Sequence, residues 1–96
     1  MVIETLSNWE QLFEQLRRMQ AAGLVDGFTL EFLSPNGKPS PTKPSIYSFS
    51  SRTELEFMAE GLPTVMPPFR SFAIENGGTE EVRGKSYRIL QVTASL

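Results

Sequence analysis

With 96 residues, 40% of them apolar and 21% charged, and a formal net charge of −2, the chain has the makings of one globular domain. It contains no cysteine, which excludes disulfides, thiol nucleophiles and thiolate metal sites. It contains no histidine, which removes the commonest general base and the commonest metal ligand.

The acidic excess lies in residues 1–34, where Glu4, Glu10, Glu14, Asp26 and Glu31 face only Arg17 and Arg18. No general electrostatic footprint for nucleic acid follows from this balance. No apolar run reaches the roughly 18 residues a membrane span needs. The start, Met1-Val2-Ile3-Glu4, lacks the basic and apolar regions of a signal peptide, so a complete cytoplasmic chain is expected.

Ser7-Asn8-Trp9-Glu10 fits an S-x-x-E capping box, and Trp9, Leu12, Phe13, Leu16 and Met19 recur on one helical face. The spacing predicts a helix over 7–22, closed by Gly23. Phe28 to Phe32 alternates apolar and polar, as a half-buried strand does, with Phe28, Leu30 and Phe32 toward the helix. Residues 34–45 are a proline-rich flexible loop with an Asn36-Gly37 turn. Ile46 to Phe49 is a short strand antiparallel to the first.

A second box, Ser51-Arg52-Thr53-Glu54, opens a second helix with Leu55, Met58, Ala59 and Leu62 inward. Gly61 and Pro63 are expected to end it, leaving 61–69 as an irregular apolar connection. Arg70 to Glu75 alternates with Phe72 and Ile74 on one side, and Asn76-Gly77-Gly78 reads as a turn. Glu81 to Ile89 reads as a tight hairpin pivoting on Gly84-Lys85, followed by a strand to about Thr93 with Leu90 and Val92 in the core. The expected order is α-β-β-α-β-β-β. The expected class is α+β over residues 1–96: a two-layer sandwich, with two helices on one face of a mostly antiparallel sheet of four to five strands.

Three surfaces compete for a function. Pro41-Thr42-Lys43-Pro44 has the P-x-x-P spacing of a docking peptide, but the bare spacing fits a solvated hairpin connection better. Phe57 lies about 200° around its helix from Leu55, off the inward stripe. Either residues 61–69 fold back over Phe57, or Phe57, Met66, Pro67 and Phe69 form an apolar surface for a partner. Arg83, Lys85 and Arg88 cluster around Tyr87, with Arg70 on the same sheet, an arrangement that tracks phosphates and stacks a base. Glu80 and Glu81 stand beside them, and edge strands also carry such charges against aggregation.

Glu54, Glu56 and Glu60 offer no acid–base pair, because a solvated helix face shifts no pKa. Neither Gly77-Gly78 nor Gly84 opens a helix as a phosphate cradle must. The sequence therefore reads as a non-catalytic interaction module, such as an adaptor, inhibitor, assembly factor or small subunit. It would take a protein partner or a second copy of itself through Phe57, Met66, Pro67 and Phe69 or through a sheet edge, with no cofactor and no metal. Nucleic-acid binding through Arg83, Lys85, Tyr87 and Arg88 ranks second, and a small-ligand or carboxylate enzyme third.

Overall fold

The computed structural model describes residues 2–33, 36 and 44–96. The P-x-x-P spacing and most of the proline-rich loop lie outside the described residues. The elements run β1 (Glu4–Leu6), α1 (Trp9–Ala21), β2 (Gly27–Leu33), β3 (Ser45–Ser48), α2 (Arg52–Val65), β4 (Ser71–Val82) and β5 (Lys85–Ser95). The α+β class and the presence of two helices stand as read from the sequence, and the described strands form one five-stranded sheet, ordered β1-β4-β5-β2-β3.

That sheet is mixed. The local hairpins, β2–β3 and β4–β5, are antiparallel, as is β1–β4. Laying the two hairpins side by side sets β5 parallel to β2, from Gly27↔Ile89 to Leu33↔Ser95. Local sequence patterns report hairpins; they carry no signal for this pairing. β1 is a further correction. It has three residues, too short to show alternation, and its place in the sheet rests on pairing Leu6 with Phe72.

α1 starts one residue later than the S-x-x-E pattern implied. Asn8 is the cap: its side chain accepts from the Gln11 amide at 2.8 Å, and Gln11 Oε1 accepts from the Ser7 amide at 2.9 Å. The box is thus Asn8 with Gln11 rather than Ser7 with Glu10. At the other end the Leu24 amide reaches Met19 O and the Gly23 amide reaches Gln20 O, both at 2.9 Å. Gly23 holds φ +71° between them, a Schellman closure. The second box stands as read, with Ser51 Oγ accepting from the Glu54 amide at 3.2 Å.

α2 then departs from expectation. It continues through Gly61 and Pro63 to Val65. Pro63 has no amide to give Ala59 O, but the helix needs only one further turn. That turn is held by the Met66 amide on Leu62 O at 3.0 Å and by Thr64 Oγ1 on Gly61 O at 2.7 Å. Leu62, buried in the core, fixes the phase.

Asn76-Gly77-Gly78 is likewise no turn. β4 runs straight through it with a bulge between Asn76 and Thr79, where Gly78 takes φ +70°. The hairpin pivots on Arg83-Gly84, with φ +51° and +80°, rather than on Gly84-Lys85. Two positive φ values in a two-residue loop are the type I′ geometry that matches strand twist.

The core lies between the helices and one sheet face. Leu12, Phe13 and Leu16 of α1 and Leu55 and Leu62 of α2 meet Phe28, Leu30, Phe72, Ile74, Leu90 and Val92. Phe13, Phe28, Phe49 and Phe72 are fully buried, and each stabilises the fold by roughly 1.5–3 kcal/mol relative to an exposed ring. Phe32, at the end of the same alternation, is only half-buried. Arg17 on α1 pairs with Glu56 on α2 through two guanidinium nitrogens, Nε to Oε1 and Nη2 to Oε2 at 3.1 Å, and so ties the helices together.

Candidate functional site

The helical phase of α2 decides its surface. Leu55, Met58, Ala59 and Leu62 face the core and Phe57 lies opposite them; Gly61 and Val65 follow Phe57 at i+4 and i+8, a row that winds toward the Met58 edge. Phe57 is 70% exposed and Val65 is 76% exposed, the two most open large apolar side chains among the described residues. Beside Phe57 lies a shallow depression of about 180 Å³ lined by Thr53, Glu56, Phe57 and Glu60. A side chain at Gly61 would meet no atom within 4 Å, so the face reads as ridge, notch, ridge.

Phe57, Met66, Pro67 and Phe69 are not brought together as one surface. Phe69 is 6% exposed, packed on Trp9, Phe32 and Phe72 at ring separations of 5.7–5.9 Å. Met66 is half-buried against the core, and Pro67 is exposed. The segment after α2 therefore folds onto the core without covering Phe57. Val65, expected within an irregular apolar connection because Gly61 and Pro63 disfavour helix, is instead the last residue of α2.

The basic hairpin divides as well. Arg83, Lys85 and Tyr87 line one cleft with Ser48 and Val82. Arg88 points to the other side of its strand and is engaged. Its Nε donates to Asp26 Oδ2 at 2.9 Å, Nη2 donates to Asp26 Oδ1 at 3.1 Å, and Nη1 donates to Gly23 O. These bonds hold the Asp26 carboxyl below its ordinary range and push the Arg88 guanidinium further up. Arg70 Nε is bonded to Leu96 O at 3.1 Å. Glu80 stands directly opposite Tyr87, which sets a carboxylate beside the cleft.

Glu56 is not the free carboxylate it seemed. The hydrogen bond from Arg17, and then that from Arg52, hold its carboxyl below the usual range. Glu54 accepts from the Ser50 amide at 2.7 Å. Among the described residues no three acidic side chains converge as a metal site, and no helix is long and apolar enough to cross a membrane. A third surface is an open apolar groove of about 370 Å³ between the end of α1 and the base of the β4–β5 hairpin, walled by Ile3, Met19, Leu24 and Leu90. Comparison with known proteins finds no family model, no curated protein and no solved structure that matches the chain.

Proposed function

We propose that the chain is a non-catalytic protein-interaction module whose partner docks on the exposed face of α2. The observation that carries this reading is the presence of Phe57 and Val65, both largely bare, along one row of α2, with a depression beside Phe57 that Glu56 and Glu60 help to line. Isolated exposed apolar residues need no explanation, but two on one helix, spaced about two turns apart, are the pattern that helix-on-helix recognition uses. The apolar groove by Ile3 and Leu24 ranks behind it, because the one cation on its wall, Arg88, is already bound to Asp26.

The test is affinity capture from the native lysate with the full chain and with Phe57→Asp side by side. We expect a stoichiometric protein partner that the variant loses at least tenfold. Because Phe57 is exposed, the variant should stay within about 0.5 kcal/mol of the parent in urea unfolding. Equal capture by both chains would remove the α2 face from consideration.

A nucleic-acid role stays second, supported by the shared cleft of Arg83, Lys85 and Tyr87. Joint reversal, Arg83→Glu with Lys85→Glu, should abolish any salt-sensitive affinity for single-stranded DNA or RNA. No affinity at low salt in the parent chain would end that reading.

A further inference from the structure

Resting on the α2 docking face just described, we infer that its occupant is a basic amphipathic helix of a protein partner. Its apolar side would lie on Phe57 and Val65 and its Lys or Arg side chains beside Glu60.

Three features of the face converge on that chemistry. The first is shape. Phe57, Gly61 and Val65 follow i, i+4, i+8 spacing, a ridge row along which one helix packs on another. Gly61 leaves open space between the Phe57 and Val65 ridges, so a partner side chain can enter between them. From Phe57 to Val65 the row rises about 12 Å along the helix, which a partner helix covers in two to three turns.

The second feature is charge. Glu60 has no partner among the described residues. Glu56, on the same rim, is already neutralised by Arg17 and Arg52. α2 has no basic residue in its last turn, so the negative end of the helix dipole beside Val65 is uncompensated. The C-terminal half of the face is therefore net negative and its centre is apolar.

The third feature is the depression itself. It sets an aromatic ring, Phe57, beside a free carboxylate, Glu60. A guanidinium or ammonium seated there gains both an ion pair and a cation–π contact, and its aliphatic stem covers the ring. A second copy of this chain fits less well. An isologous pairing of α2 with α2 across Gly61 brings Glu60 near Glu60 of the copy, and like charges so placed oppose association.

The probe is a random dodecapeptide library displayed on phage, selected on the full chain. We expect the recovered peptides to carry Lys or Arg flanking apolar residues at i, i+3 or i, i+4 spacing. A synthesised example, followed by fluorescence anisotropy, should lose about tenfold in affinity on Phe57→Asp. It should lose about threefold on Glu60→Lys, and weaken as salt rises from about 0.05 to 0.3 M. Peptides that are neutral or acidic, or that bind independently of Glu60→Lys and of salt, overturn the basic occupant. If those same peptides are still lost on Phe57→Asp, the docking face itself survives. Peptides indifferent to Phe57→Asp overturn both. A dimer in sedimentation velocity that Phe57→Asp dissociates would make a second copy the occupant and also overturn the inference.

Discussion

Asp26, just before β2, fastens three neighbouring strands, binding the residue that follows β3 and Arg88 within β5. Its amide donates to Arg88 O at 2.8 Å, its carbonyl accepts from the Phe49 amide at 2.9 Å, and its carboxylate accepts from the Arg88 amide and guanidinium. The sequence offered Arg88 as a phosphate-tracking base because three cations and a tyrosine lie close together there. The partner that occupies it stands 62 positions away in the chain, beyond the reach of any local pattern. The pairing has a pH signature. The Asp26 carboxyl lies lower in the folded chain than in the unfolded one, so the unfolded state binds the proton more readily. Its stabilisation is fully present above the unfolded value of about 4 and is lost as pH falls through the lower folded value. Melting temperatures of the parent and of Asp26→Asn should therefore differ most near neutral pH, with the variant lower. The gap should narrow below about pH 4. A gap that stays constant from neutral pH to strong acid would assign the effect to hydrogen-bond geometry rather than to charge.

Helices and hairpins were legible because each writes its own local signal. Two capping boxes, a glycine closure and two apolar stripes place α1 and α2 to within a few residues at all ends but one. The exception is the C-terminus of α2, where propensity and packing disagree. Gly61 and Pro63 both disfavour helix, yet Leu62 between them is buried, and burying it keeps the chain in helical phase for one more turn. That extra turn puts Val65 on the docking face, so half of the candidate site depended on a contest that local rules decide the wrong way. Pro63→Ala tests the balance. Alanine restores a donor for Ala59 O and relieves a propensity cost of up to about 3 kcal/mol. Pro63 also helps line the groove beside Trp9 and Phe13, and alanine gives up that packing. The net expectation is a gain of about 1 kcal/mol, read as a higher urea midpoint at unchanged slope. A lower midpoint would mean that the proline's packing outweighs its missing amide.

At the scale of the molecule, the last strand joins what precedes it. β5 lies between β4 and β2, so the β1–β4 flank and the β2–β3 flank meet in the sheet only through it. Its inner residues Leu90, Val92 and Ala94 are buried against both helices' side of the sheet. Until residues 89–95 pair with Gly27–Leu33, the first half of the chain has a two-stranded hairpin and a helix, which do not stand alone in water. Two consequences follow for one experiment. Trp9 touches Phe13 in its own helix, Phe69 after α2 and Phe72 in β4, so its fluorescence reports the packing of three distant segments. In the whole chain its transition should coincide with that of far-UV circular dichroism, as one cooperative unit requires. In a chain ending at Arg88, both flanks lose their shared neighbour. Trp9 emission should then stay at the solvent-exposed position without denaturant, and the dichroism should melt with no sigmoid. A cooperative melt surviving in that shortened chain would show instead that one flank, with its helix, is stable on its own, and that β5 closes a fold already formed.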